Sequence, residues 1–211
     1  SVTSVKNLVG TNGVVAADVS GVGTARRQVA AAGYGTDKAV FGFGNSGSAT
    51  NVKNLCNNSG VIAADVTGVG TARYDPDATT YGSTGQAIFA FGHTDEAVGL
   101  SNLVSNTGVI ATDTAAVGQA RFGVGALGFG GDKGIFAYGY AGGVNRNTSN
   151  IISNLGVVSS DVTGVGTARR YLDGAAYGGD KGIFYSGTSA DSNLVSNTGV
   201  VASDVTAVGT S

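Results

Sequence analysis

The sequence says nearly the same thing five times. A phrase of the form Asn-Leu-x-x-Asn-x-Gly-Val-Val-Ala-x-Asp-Val-Thr-Gly-Val-Gly-Thr recurs from end to end. Its aspartate falls at Asp18, Asp65, Asp113, Asp161 and Asp204, in steps of 47, 48, 48 and 43 residues. A period of this size denotes a repeat architecture, in which each unit is one supersecondary element that buries its apolar face against the next. A residue present in every unit is scaffold by default. A residue that occurs once is the better candidate for recognition or chemistry.

The composition agrees with short strands and tight turns. Glycine supplies 37 of 211 residues, set among Val, Thr and aromatic residues, the mixture expected of strands joined by turns. The chain is long enough for a substantial core. Charged residues make up only 12%, against about 25% in ordinary soluble domains. A surface of Ser, Thr, Asn and Gly suits extracellular adhesins and virion proteins. The net charge of −2 leaves no basic footprint for nucleic acid. Cys56 is alone, which excludes an internal disulfide and a cysteine-based zinc site. No apolar run approaches the roughly 20 residues of a membrane helix. The chain opens at Ser1, without a signal peptide, and contains no Met, as a processed product or a segment of something longer would.

Within each unit four segments recur. An aromatic run reads Lys38-Ala-Val-Phe-Gly-Phe-Gly44, Gln86-Ala-Ile-Phe-Ala-Phe-Gly92, Lys133-Gly-Ile-Phe-Ala-Tyr-Gly139 and Lys181-Gly-Ile-Phe-Tyr-Ser-Gly187. The two-residue spacing of Phe41 and Phe43 places both on one face of a buried strand, with Gly42 on the other, where a neighbouring sheet can approach closely. A hairpin follows, turning at Asn12-Gly13, Asn58-Ser-Gly60, Asn106-Thr-Gly108, Asn154-Leu-Gly156 and Asn197-Thr-Gly199. Arg26, Arg73, Arg121 and Arg169 each stand eight residues after a repeat aspartate, and Tyr34-Gly35, Tyr81-Gly82, Phe129-Gly130 and Tyr177-Gly178 eight residues further on. About four strands per unit and no helical periodicity predict an all-β fold: a β-propeller of about five four-stranded repeats. A linear β-solenoid is the runner-up.

The order Ile-Phe-x-Phe-Gly, Asn-Leu…Asn-Thr-Gly, Thr-Ala-Arg resembles the kelch type of propeller repeat over essentially the whole chain. It departs from kelch in having one Gly where kelch has a pair, as at Phe43-Gly44, and in having no Trp. The phrases Tyr177-Gly-Gly-Asp-Lys-Gly-Ile-Phe184 and Asn193-Leu-Val-Ser-Asn-Thr-Gly199 resemble repeats in virion structural proteins of tailed phages. That resemblance implies a tail, fibre or head-decoration component located in the virion or outside the cell. One repeat domain spans 1–211, in units of about 1–37, 38–85, 86–132, 133–180 and 181–211, the first and last incomplete. Five hairpins stand against four aromatic strands and four arginine segments, and a further arginine would fall just after Gly209-Thr210-Ser211. Completion by another subunit or by a longer array would resolve the mismatch.

Most reactive-looking residues have a structural reading. The repeated aspartates are of the kind that bond backbone amides beside turn glycines, and the arginines of the kind that tie strands together; buried charge is retained when paired. Asp75 and Asp77 supply half of a calcium loop, and the Pro76 turn accounts for them better. Gly21-Val-Gly23 lacks the strand-turn-helix context of phosphate binding. His93, the only histidine, reads as a solvated loop residue and has no partners for a catalytic triad or zinc. No cofactor, metal or catalytic residue is expected. The units differ most between the aromatic strand and the hairpin, where equivalent loops of a repeat fold emerge on one face. His93, Asp95, Glu96, Tyr140, Arg146 and Asn147 are therefore the binding candidates. The expected function is non-enzymatic: a structural or adhesive virion propeller whose partners are a cell-surface glycan, other virion proteins or further copies of itself, without nucleic acid or membrane insertion. The alternatives are a glycan-cleaving propeller and a pure self-assembly module.

Overall fold

The computed structural model describes residues 2–115 and 117–206; Gly209-Thr210-Ser211, beside which a further arginine was expected, lies outside them. The described chain is all-β, without helices. Its thirteen strands form four antiparallel sheets. β1 (Ala30–Tyr34), β2 (Lys38–Gly42) and β3 (Lys53–Cys56) make the first sheet, and β4 (Asp77–Tyr81), β5 (Gln86–Ala90) and β6 (Ser101–Val104) the second. β7 (Gly125–Phe129), β8 (Lys133–Ala141) and β9 (Val144–Ile152) make the third. β10 (Asp173–Tyr177), β11 (Lys181–Tyr185), β12 (Asp191–Val195) and β13 (Val205–Thr206) make the fourth.

Each sheet is a meander in one register. Tyr34 pairs with Lys38, Tyr81 with Gln86, Phe129 with Lys133 and Tyr177 with Lys181, so the aromatic-Gly dipeptide opens the hairpin turn in every unit. A further outer segment is attached by single bridges: Lys53 to Val66 and Cys56 to Ile62, Ser101 to Thr114 and Val104 to Ile110, Ser149 to Val162 and Ile152 to Val158. The same bridges hold an N-terminal hairpin, Lys6 to Val19 and Val9 to Val15.

The core lies between successive sheets. Phe43 meets Phe89 edge to face with ring centroids 5.3 Å apart, Phe91 meets Phe136 at 5.5 Å, and Tyr138 meets Phe184 at 5.7 Å. β1 packs on β4, β4 on β7 and β7 on β10, whereas no comparable packing joins β10 to β1 among the described residues. Gly42 is indeed where the next sheet comes close: a Cβ there would lie 3.0 Å from the Phe89 ring. The simple alternation expected of Phe41 and Phe43 does not hold, because β2 ends at Gly42 and Phe43 turns left-handed. Phe43, Phe91, Tyr138 and Ser186 share this backbone, with φ of 63°, 63°, 63° and 65°. Left-handed backbone is costly for a bulky residue and persists only where its surroundings hold it.

Candidate functional site

At Phe91, Tyr138 and Ser186 an arginine Nε bonds the carbonyl of that backbone, whereas at Phe43 the equivalent Arg26 Nε is unpaired. Arg73 is fully buried. Its Nε donates to the Phe91 carbonyl at 2.8 Å and its Nη2 to Asn102 Oδ1 at 2.7 Å. Asn102 Nδ2 donates onward to Asp113 Oδ1 at 2.9 Å and to the Ala111 carbonyl at 3.1 Å. The other Asp113 oxygen accepts the Thr71 amide at 2.9 Å and the Thr71 hydroxyl at 2.7 Å. The guanidinium also lies 3.9 Å over the Phe43 ring of the preceding unit, a cation–π contact across the unit boundary. Gly70 precedes Thr71 for a steric reason: its φ is +100°, and a Cβ there would sit 2.5 Å from Asp113 Oδ1.

The network repeats. Arg26–Asn54–Asp65–Thr24, Arg121–Asn150–Asp161–Gln119 and Arg169–Asn193–Asp204–Thr167 are built alike. Burial lowers the pKa of Arg73 and Arg121 to about 10, opposed by Asp113 and Asp161, so both stay charged at neutral pH. Thr24 and Asn54 hold the Asp65 carboxyl below its ordinary range, and Thr167 and Asn193 do the same for Asp204. Phased by these bonds, four whole units run 24–65, 71–113, 119–161 and 167–204. The N-terminal hairpin carries only the Asn7–Asp18 pair, joined at 2.8 Å. The asparagines escaped notice as network members, although each stands 11 residues before its aspartate.

With the repeated charges accounted for, the residues that differ between units stand out. The residue after the network arginine pairs with the residue after the aromatic-strand glycine: Arg27 with Asn45, Tyr74 with His93, and Phe122 with Tyr140. The last two pairs come together as one aromatic ridge. His93 Nδ1 lies 2.5 Å from the Tyr74 hydroxyl, and its ring is 4.6 Å from Phe122. Phe122 is 5.5 Å from Tyr140 and 6.4 Å from Tyr171. Arg170 stacks 4.0 Å over Tyr140 and 5.5 Å from Tyr171. Two sequence candidates, His93 and Tyr140, thus flank Phe122, and His93 is half-buried rather than free in solvent. Tyr74, Phe122, Arg170 and Tyr171 were not anticipated.

The remaining candidates divide. Asp95 and Glu96 are exposed at a tight turn beside His93. Asn147 Nδ2 is engaged with the Gly166 carbonyl at 2.8 Å. Arg146 reaches the Ala141 carbonyl through Nη2 at 3.3 Å, but its Nε makes no hydrogen bond. The same holds for Arg170 Nε, Asn145 Oδ1 and Thr148 Oγ1, all shielded from bulk solvent. Unpaired polar atoms therefore lie on β9, the strand that pairs with Tyr140 of β8, and on Arg170. Polar atoms so placed are normally satisfied, and each exception calls for a partner.

Beside the ridge all four units converge on a cavity of about 300 Å³. Gln28, Asp75, Gly123 and Tyr171 occupy equivalent positions in its wall, all left-handed, with φ of 57°, 53°, 60° and 57°. Gln28 Nε2 donates to Asp75 Oδ2 at 2.8 Å. Asp77 and Asp173 also line it, beside the apolar Val29, Pro76, Val124 and Leu172. Burial pushes the Asp77 carboxyl up to about 7, the Ala78 amide and the Ala126 amide of the next unit opposing and the Asp173 charge reinforcing. Burial also raises Asp75, against the hydrogen bond from Gln28. No group of three or more His, Cys, Asp and Glu suited to a metal ion occurs among the described residues.

No protein-family profile matches the sequence, and a comparison with curated proteins gives no significant match.

Proposed function

We propose that this chain is a non-enzymatic β-repeat scaffold that binds a glycan on the aromatic ridge. The observation that carries the reading is the join of the exposed Tyr171 to the half-buried Phe122 and Tyr140, with the half-buried Arg170 guanidinium stacked against both tyrosines. Sugars present apolar C–H faces and fans of hydroxyls, and such a surface offers both aromatic faces and hydrogen-bonding groups. The low charge and the resemblance to phage repeats support a structural or adhesive role in a virion. Convergence of the four units on one cavity supports reading them as kelch-like propeller blades; the lack, among the described residues, of packing between β10 and β1 comparable to that between successive sheets is what favours the open, solenoid-like alternative.

A glycan array followed by calorimetry on the best binder tests the proposal. Tyr140→Ala is expected to weaken binding at least tenfold with an unchanged melting temperature, and Glu96→Ala to bind like the parent. An array without binders, or a Tyr140→Ala that binds like the parent, refutes it.

One observation favours a second reading, a glycan-cleaving enzyme. Asp77, with a carboxyl near pKa 7, shares a cavity with Asp75 and Asp173, as an acid and base pair would. Hydrolysis of the bound glycan that Asp77→Asn abolishes would establish it.

A further inference from the structure

The interface between consecutive units has fixed parts. Tyr34 with Leu55 covers the turn glycine Gly108 of the next unit, Tyr81 with Leu103 covers Gly156, and Phe129 with Ile151 covers Gly199. A Cβ on those glycines would lie as close as 3.0, 2.8 and 2.7 Å to the covering side chains. On the same seam, a Cβ on Gly35, Gly82 or Gly130 would come within 2.8, 3.3 or 3.0 Å of the carbonyls of Asn106, Asn154 and Asn197. Three copies of one interface define what its two halves look like.

Both halves also occur uncovered. On the outer face of the fourth unit Tyr177 is 41% exposed, against 5%, 6% and 2% for Tyr34, Tyr81 and Phe129. Its neighbour Leu194 is 42% exposed, and a Cβ on Gly178 would meet nothing within 4 Å. At the other extreme of the fold, the turn glycine Gly13 likewise has nothing within 4 Å, although Gly60 in the next unit is covered by Leu8.

We infer that the face formed by Tyr177 and Leu194 receives the Asn12-Gly13 hairpin of a second copy of this chain, head to tail. A residue of the fourth unit points the same way. Where Phe43, Phe91 and Tyr138 carry an incoming arginine, this unit has Ser186. Its face therefore offers no ring to a further complete repeat. The hairpin brings no arginine: its Asn7–Asp18 pair is bound by none among the described residues. The two halves are different patches, so the contact is heterologous and propagates as a filament unless its rotation closes a ring of subunits. This inference does not depend on what the aromatic ridge binds.

Two cysteine variants of the 211-residue chain, both keeping Tyr177 and Leu194, test it in a Cys56→Ser background, one Asn12→Cys and the other Gly178→Cys, where a Cβ meets nothing within 4 Å. Mixed under mild oxidation, they are expected to give a cross-linked heterodimer at least tenfold in excess of either homodimer. Equal amounts of the three dimers, or no cross-link, overturns the inference. Both cysteines in one chain at low concentration test self-closure: a cyclised monomer means that the hairpin seats on its own fourth unit and overturns it. For the native chain, sedimentation is expected to show mass rising with concentration, and Tyr177→Ala, which removes an exposed side chain, to weaken association at least tenfold at unchanged melting temperature. A native chain that stays monomeric, or a Tyr177→Ala that associates like the parent, overturns it.

Discussion

Replacing Arg73 with Met removes one arginine network and leaves a side chain of similar length. Three hydrogen bonds are lost: the short ones from Nε to the Phe91 carbonyl and from Nη2 to Asn102, each worth about 1.5–3 kcal/mol as charge-assisted bonds, and a longer one from Nη1 to the Thr71 carbonyl at 3.3 Å. The stacking on Phe43 adds about 1–2 kcal/mol for a desolvated pair. Against these losses stand the released desolvation of the guanidinium and the packing of Met. Breaking a buried pair on one side costs about 3–5 kcal/mol in such cases, and Asp113 and Asn102 would be left facing an apolar chain. Arg26→Met is the internal control. Arg26 keeps the bond to Asn54 at 2.6 Å, but its Nε is unpaired and no ring lies under it among the described residues. Its loss is expected to cost about 1–2 kcal/mol. Urea unfolding followed by circular dichroism measures both. Exchange of the Gly44 amide, which donates to the Arg73 carbonyl at 2.9 Å, reports opening at that unit boundary, where repeat proteins lose cooperativity. An Arg73→Met variant as stable as the parent, or no more affected than Arg26→Met, would refute the view that these networks hold the units together.

Three further outcomes are expected. Gln119 is the only network residue in its place without a hydroxyl for the aspartate: Thr24, Thr71 and Thr167 each donate one at 2.6–2.7 Å, so Gln119→Thr is expected to stabilise by about 1 kcal/mol, read as a higher urea midpoint at constant slope. Asp77 titrates near 7 in the fold against an ordinary 3.8; the native state binds that proton more tightly, so its contribution is full below about pH 4 and is lost as pH rises through 7. Asp77→Asn therefore flattens the melting temperature over that window and raises it at pH 8, corresponding to roughly 1–2 kcal/mol after allowance for partial exposure; Asp65 and Asp204, held low, act with the opposite sign and account for loss of stability in acid. Gly199→Ala drives a Cβ to 2.7 Å from the Phe129 ring, whereas Gly47→Ala, also at positive φ, meets nothing within 4 Å; thermal melts are expected to show the first costing at least 2 kcal/mol more, and equal costs would discount the packing.

The parts of the fold that depend on local pattern were legible in the sequence. The Asp-to-Arg spacing and the Asn-x-Gly turns mark out the units, because the turn glycines are required by local backbone conformation and the Asp and Arg recur at one fixed distance. The left-handed turns were not legible: at Phe91, Tyr138 and Ser186 the carbonyl is bound by an arginine 17 or 18 residues upstream, a contact that no local pattern announces. Nor was the ridge. The position after the network arginine holds Arg27, Tyr74, Phe122 and Arg170, which reads as variation without direction. Those residues meet only where successive units come into contact. His93 looked solvated because its neighbours in sequence are polar, while its neighbours in space are Tyr74 and Phe122.

The distribution of arginine joins scaffold to site. Of seven arginines, Arg26, Arg73, Arg121 and Arg169 are held inside the networks. The other three, Arg27, Arg146 and Arg170, are paired in the backbone with or stacked on loop-end residues: Asn45, the network residue Arg169, and Tyr140. With only 12% charged residues, little other guanidinium chemistry is available to a ligand. The networks fix the strands on which those loop ends sit, and the Phe91 and Tyr138 carbonyls bound by Arg73 and Arg121 lie two residues before His93 and Tyr140. A repeated arginine thus sets the backbone from which each distinctive loop departs. Loosening one network is expected to misplace the ridge residue two positions beyond it before it unfolds the unit, so ligand binding would be the more sensitive reporter of Arg121→Lys than melting temperature.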